Sequence, residues 1–160
     1  MCYRYLNYST TMPVELRDVA LLAGVSVAHA YQCAMFARRV GAARGKFKIE
    51  FPKTTGNDDF ERYYRAQMNS LEFFPIFSSA LWSAGLFFHQ VPAAAAGLIY
   101  MFARQRYFNG YIISVKDRLP GFKLSVNCIQ TLLGMFLLGI GHFAVEEFAG
   151  INIRQQYLKF

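Results

Sequence analysis

Three long runs without a charged side chain dominate this sequence of 160 residues. Residues 19–37, 73–103 and 124–145 hold no Asp, Glu, Lys or Arg and are 19, 31 and 22 residues long. A helix needs about 20 apolar residues to cross the hydrocarbon core of a bilayer. The first and third runs therefore each predict one membrane-spanning helix. A buried helix of a soluble protein is the alternative for one run alone, but three runs in so short a chain disfavour it.

The middle run is too long for one crossing, and His89–Pro92 interrupts it near its centre. We interpret it as a helical hairpin whose second arm continues through Arg104 to about Val115. The predicted fold class is therefore all-α, an integral membrane four-helix bundle. The predicted boundaries are an N-terminal extension (1–17), a four-span domain (18–148) and a C-terminal tail (149–160).

Two short signals mark the remaining helix ends. Asn57 or Asp58 is suited to cap the second helix, because both side chains can accept a hydrogen bond from a free backbone N–H. Leu119-Pro120-Gly121 is expected to separate the third and fourth helices. A small-residue patch, Ala93 to Gly97, is suited to close helix packing.

The net charge of +7 follows the predicted topology. Basic residues concentrate between the first two spans and again after the third, whereas the hairpin turn carries none. By the positive-inside rule, both basic loops face the cytosol and both termini face the lumen. The charge therefore gives no reason to expect a nucleic-acid partner.

Two polar stripes are predicted on the middle helices. On one helix, Arg65, Asn69 and Glu72 fall within about 60° of one another, and on the next, Arg104, Tyr107 and Tyr111 share a face. Arg118 would join the second stripe if that helix persisted so far. Ionisable groups at membrane depth are costly, so a functional site is the default interpretation. Arginines that snorkel to headgroups, with a tyrosine belt at the interface, explain the spacing equally well.

Arginines beside a carboxylate suit a small ligand that has carboxylates and an ammonium group, as a glutathione-like tripeptide does. Its thiol must ionise to act as a nucleophile, and Arg118 is the candidate cation for that step. His29, His89 and His142 have no partners at metal-ligand spacing and are expected to be packed or interfacial. No metal is predicted.

The same residues resemble the MAPEG family, the membrane-associated proteins in eicosanoid and glutathione metabolism. The resemblance covers nearly everything from Asp18 onward. It is densest in TTGNDDFERYYRAQMNSLEFFP, LWSAGLFFHQVPAAAAGLIYMFARQRYFNGY and RLPGF. It implies a homotrimer in the membrane of the endoplasmic reticulum and nuclear envelope, with glutathione as co-substrate bound between neighbouring subunits.

The family's glutathione contacts carry over to Arg44, Arg65, Gln67, Asn69, Glu72, Tyr107, Tyr111 and Arg118, and Arg118 matches the arginine that activates the thiol. Arg104 joins this candidate set from the second stripe. The implied function is a glutathione transferase that acts on lipophilic electrophiles, including an epoxide leukotriene to give leukotriene C. Glutathione-dependent reduction of lipid hydroperoxides is expected as well.

Three positions distinguish members of the family. Arg65 favours an enzyme over the non-catalytic, lipid-binding member, which lacks this arginine. Gly45 replaces a second arginine, and Phe73 a tyrosine, of the dedicated leukotriene-forming members. Both departures favour a broader transferase and leave the protonation of an epoxide oxygen unassigned. An adaptor that presents arachidonate to a lipoxygenase is the alternative function, and a small channel is the least favoured.

Overall fold

The computed structural model describes residues 15–149, which form four α-helices and no strand. The helices are α1 (Leu16–Lys46), α2 (Asp58–Phe87), α3 (Gln90–Ile113) and α4 (Leu119–Ala149). The predicted all-α, four-helix architecture is therefore confirmed. The predicted N-terminal extension and C-terminal tail lie almost entirely outside the described residues and stay predictions.

Side-chain caps fix the beginnings of α2 and α3. The Asn57 side chain accepts a hydrogen bond from the backbone N–H of Phe60 at 3.0 Å, as the sequence predicts for one of two candidates. His89 Nδ1 accepts from the backbone N–H of Val91 at 3.1 Å, a capping role that the sequence did not reveal. Pro92 follows within the first turn of α3, where a missing N–H costs no helical hydrogen bond. The predicted break in the middle run is thus a tight helical hairpin.

The connection between α3 and α4 differs from the prediction. Residues 114–118 form it, whereas Pro120 and Gly121 lie inside the first turn of α4. The prediction was wrong because a proline in the first turn needs no hydrogen-bond partner for its nitrogen and does not end a helix. Arg118 consequently lies in the connection immediately before α4 and does not extend α3.

The two helices with membrane-length apolar windows lie on the outside of the bundle. Each of α2 and α3 packs against both α1 and α4, while α1 and α4 scarcely touch. By length and composition α1 and α4 can cross a membrane, and only 28% and 22% of their apolar windows are buried within the chain. Their apolar surface therefore faces outward. The crossings by α2 and α3, which carry the polar stripes and do not meet that composition, stay predictions.

Small residues bring α1 close to its neighbours. A Cβ at Gly85 of α2 would lie 2.3 Å from Leu22 Cδ1, and one at Gly97 of α3 would lie 2.8 Å from Val25 Cγ1. The predicted small-residue patch on α3 is buried at four of its five positions, which confirms its packing role. The free thiols of Cys33 and Cys128 are buried in the same bundle.

Candidate active site

A pocket of about 350 Å³ opens between α2, α3 and the start of α4. Its lining residues are Arg65, Met68, Asn69 and Glu72 from α2, Tyr107 and Tyr111 from α3, and Arg118, Leu119 and Phe122 from the last connection and α4. The volume is within the range of small-molecule sites. The two polar stripes therefore meet, and six of the nine candidate residues share one cavity.

The cations of the pocket are available to a ligand. Among the described residues, no carboxylate lies within ion-pair distance of Arg65 or Arg118. The Arg118 guanidinium lies over the Tyr111 ring, 4.9 Å from its centroid. Arg65 and Glu72 are exposed on the same face of α2, so a ligand with both signs of charge can contact both side chains.

Arg104 does not line the pocket but lies directly behind it. It is fully buried, and its Nη2 donates to Asn69 Oδ1 at 3.1 Å and to Ser70 Oγ at 2.9 Å. Its guanidinium also lies 4.5 Å from the centroid of the Tyr107 ring. The charge of Arg104 therefore acts on the pocket through Asn69 and Tyr107.

Asn69 links this buried cation to the open carboxylate. Its Oδ1 accepts from Arg104, and its Nδ2 donates to Glu72 Oε2 at 3.3 Å. Because the acceptor end faces a cation and the donor end faces an anion, the orientation of the amide is defined. The three side chains form a continuous hydrogen-bonded row, the Arg104–Asn69–Glu72 row.

Gln67 and Arg44 lie away from the pocket of this single chain. Gln67 projects about 160° from Asn69 around the axis of α2. Arg44 Nη1 donates to the carbonyl oxygens of Lys53 at 2.6 Å and Glu50 at 3.3 Å, and its guanidinium stacks 4.5 Å from the Phe51 ring. In this chain Arg44 thus holds the connection between α1 and α2 in place.

The sequence missed four residues at the site. Leu119 and Phe122 line the pocket because RLPGF places them within the first turn after Arg118, a signal that was present in the motif. Met68 also lines the pocket, and nothing in the sequence distinguishes it from other apolar residues of α2. Ser70 supports Arg104 across 34 positions of sequence, so only the folded structure reveals that pair.

The fold and the pocket define a class. This is a four-helix bundle with membrane-capable outer helices, and its pocket offers two arginines, one carboxylate and two tyrosines to a small charged ligand. The model of the MAPEG family matches residues 19–138. The chain therefore belongs to the MAPEG family and is an integral membrane protein.

Similar proteins cover most of the chain. It is 44% identical to "Microsomal glutathione S-transferase 2" of Mus musculus over 142 residues, which are 89% of this chain and 97% of the relative. It is 43% identical to the protein of that name from Homo sapiens over 136 residues, 85% and 92% of the two chains. It is also 44% identical to "Leukotriene C4 synthase" of Bos taurus over 131 residues, 81% and 87% of the two chains.

Proposed function

We propose that this chain is a membrane glutathione transferase that joins the glutathione thiol to lipophilic electrophiles. One observation carries the proposal: the pocket of a membrane-protein bundle combines one carboxylate with two arginines that form no ion pair with a carboxylate of the described residues. Glutathione has two carboxylates, one ammonium group and a thiol, so its charges are complementary to that set. The names of the relatives, a glutathione S-transferase and a leukotriene C4 synthase, support the same chemistry.

In the bound state, Arg65 contacts a glutathione carboxylate and Glu72 contacts the ammonium group. Asn69, Tyr107 and Tyr111 supply the uncharged hydrogen bonds. Arg44 and Gln67 contribute from a neighbouring subunit, because neither reaches the pocket of its own chain. The functional unit is therefore proposed to be a homotrimer in the membrane of the endoplasmic reticulum and nuclear envelope.

Arg118 is the proposed catalytic residue. It is half-buried at the edge of the pocket, and no carboxylate of the described residues pairs with it. Its positive charge stabilises the glutathione thiolate, which is the reactive nucleophile. The thiolate attacks a carbon of the electrophile, so that a C–S bond forms and a C–O or C–halogen bond breaks. An epoxide oxygen released in this way takes up a proton, whereas a halide leaves as the anion.

The same thiolate can reduce a lipid hydroperoxide. Its sulfur attacks the O–O bond, which releases the lipid alcohol and leaves a glutathione sulfenic acid. A second glutathione then forms the disulfide and water. The apolar electrophile reaches the pocket along outward-facing surfaces of the bundle, where Leu119 and Phe122 already border the polar site.

Arg118→Ala separates catalysis from binding. We expect kcat to fall by roughly 100-fold at neutral pH, the scale of losing one charge-stabilising group, while the glutathione Kd stays within about threefold. Glu72→Gln should do the reverse and weaken glutathione binding by about 10-fold or more, because a charge-assisted contact is lost. Steady-state kinetics and calorimetry on detergent-purified protein measure both. An unchanged kcat in Arg118→Ala excludes the assigned role.

A substrate panel tests the overall proposal. Purified protein is given glutathione with a leukotriene epoxide, an aryl halide or a lipid hydroperoxide, and product is measured with heat-treated protein as the control. Turnover of the aryl halide as well as the epoxide supports a broad transferase. Turnover of the hydroperoxide adds the peroxidase reaction. Absence of turnover with all three, with retained binding of a fatty acid, favours the adaptor.

A further inference from the structure

Two glycines bring backbone into contact on either side of Arg118. A Cβ at Gly110 of α3 would lie 2.2 Å from the carbonyl oxygen of Asp117 and 3.1 Å from the backbone nitrogen of Arg118. A Cβ at Gly121 of α4 would lie 2.3 Å from the backbone nitrogen of Tyr107 and 2.8 Å from the carbonyl oxygen of Ala103. In both places the neighbouring atom belongs to backbone, which cannot rotate away as a side chain can.

Both contacts involve α3, one with the connection that precedes α4 and one with the start of α4. At Gly110, the α3 backbone lies against the peptide bond between Asp117 and Arg118. At Gly121, the α4 backbone lies against the α3 backbone beside Tyr107. Arg118 lies between these contacts, and its guanidinium lies over Tyr111, the residue after Gly110. The distance between the arginine and the two pocket tyrosines is thus fixed at the backbone.

We propose that Gly110 and Gly121 are positioning residues that hold Arg118 at the depth where it stabilises the thiolate of the bound ligand. This inference rests on the proposed transferase function. Ordinary carbon contacts need about 3.5 Å. A methyl group at Gly110 must therefore displace the peptide between Asp117 and Arg118 by roughly 1 Å, and one at Gly121 must separate the start of α4, which follows Arg118, from α3 by a similar distance. A shift of that size at a reacting group can cost about 100-fold in rate.

The chain supplies a matched control for steric damage alone. A Cβ at Gly139 of α4 would lie 2.3 Å from the carbonyl oxygen of Phe87, an equally close backbone contact. Gly139 is 18 residues beyond Gly121, or about 27 Å along the helix. Gly134, where an added Cβ would meet nothing within 4 Å, is the control for adding a methyl group to α4.

The experiment compares Gly110→Ala, Gly121→Ala, Gly139→Ala and Gly134→Ala in detergent with glutathione and an aryl halide. The quantity measured is the ratio of native to variant kcat between pH 6.5 and 9. A thiol ionises unaided near the upper end of that range, so a misplaced Arg118 matters less there. For Gly110→Ala and Gly121→Ala we expect a ratio of native to variant kcat of about 10 to 100 at pH 6.5. This ratio should fall at least fivefold by pH 9.

Gly139→Ala should lose thermal stability, but its ratio of native to variant kcat should not depend on pH. A smaller folded fraction lowers the measured rate by the same factor at each pH. Gly134→Ala should resemble the native protein. If Gly121→Ala does not assemble, Gly110→Ala decides, since its methyl group meets a connection rather than a helix. A pH-independent ratio in an active, folded Gly110→Ala overturns the positioning role. If the native protein turns over neither the aryl halide nor the leukotriene epoxide nor the lipid hydroperoxide of the substrate panel, the proposed function fails and this inference falls with it.

Discussion

At the scale of single residues, Asn69 connects the buried part of the site to the part that is open to a ligand. The buried Arg104 offers one nitrogen to Asn69 and Ser70, while its Nε and Nη1 have no hydrogen-bond partner among the described residues. A buried cation with few partners depends strongly on each one, because an unmade hydrogen bond in the interior is costly. Asn69 is thus important both for stability and for the orientation of Glu72.

Asn69→Ala tests this dual role. We expect the free energy of unfolding to fall by about 1 to 3 kcal/mol, since the buried Arg104 loses one of its two hydrogen-bond acceptors and keeps only Ser70 Oγ. The glutathione Kd should rise by about 10-fold, because Glu72 loses its donor and the ligand loses an amide. Thermal unfolding and calorimetry give the two values.

Asn109→Ala is the control. Asn109 is an exposed amide on α3 that accepts a hydrogen bond from Arg39 at 2.7 Å, outside the pocket. Its removal should change stability by about 0.5 kcal/mol or less and leave glutathione affinity unchanged. Equal losses in the two variants would contradict the special position of Asn69.

The residues of the site differ in how far sequence could predict them. Helical spacing alone brings Arg65, Asn69 and Glu72 onto one face, and the structure has all three in the pocket. The burial of Arg104 could not be predicted, because it depends on Ser70 and Asn69 from another helix. Periodicity describes one helix at a time, whereas burial depends on the neighbouring helices.

At the scale of helices, small residues decide how closely α1 approaches. Gly85 of α2 faces the side chain of Leu22, which is fully buried between the helices. The contact joins a backbone surface to a flexible side chain, unlike the backbone contacts at Gly110 and Gly121. A change on one side can therefore be relieved by a change on the other.

Gly85→Ala should lower the free energy of unfolding by about 1 to 3 kcal/mol through overpacking. Leu22→Ala alone should cost about 2 to 5 kcal/mol because it leaves a cavity. The double variant should lose less than the sum by at least about 1 kcal/mol, since the new methyl group occupies space that the leucine vacates. Thermal or denaturant unfolding in detergent measures the cycle.

Gly24→Ala on α1, where a Cβ meets nothing within 4 Å, serves as the control and should not be destabilising. Strict additivity of the Gly85 and Leu22 variants would contradict a direct contact.

The wrong prediction at Pro120 also concerns the scale of helices. Proline and glycine suggest an interruption of a helix, but the first turn accepts Pro120 because its nitrogen needs no hydrogen-bond partner there, and Gly121 lets the backbone of α3 lie close.

At the scale of the whole molecule, the two helices with polar stripes, α2 and α3, are central, and the two with membrane-length apolar windows, α1 and α4, flank them. This order gives the polar stripes protein neighbours and leaves the apolar faces of α1 and α4 exposed. It also leaves Arg44 and Gln67 outside the pocket of their own chain. A site shared between copies, as the family resemblance implies, is the arrangement in which all the candidate residues can act together.

Mixed oligomers test such sharing. Arg44→Ala and Arg118→Ala chains with different tags are co-expressed, and assemblies that carry both tags are purified. If each site takes Arg44 from one subunit and Arg118 from the next, every mixed trimer contains one site with both arginines. We expect about one third of native activity from mixed trimers and close to none from either variant alone.

Two further measurements complete that test. Variants that are mixed after separate purification should remain inactive, which shows that recovery needs co-assembly. A native mass spectrum gives the number of chains in each particle. Mixed trimers as inactive as both parent variants would place both arginines in the same chain's site, whereas an active Arg44→Ala parent would exclude Arg44 from the site.

The burial of the two thiols in the described segment affects how well the protein resists alkylation. An enzyme that draws reactive epoxides and halides toward its interior exposes itself to alkylation. Cys33 and Cys128 are 8% and 7% exposed, so under the proposed function an incoming electrophile meets the thiol of the bound tripeptide rather than either cysteine of residues 15–149. A transferase of the proposed kind can thus consume electrophiles repeatedly without these two cysteines becoming their target.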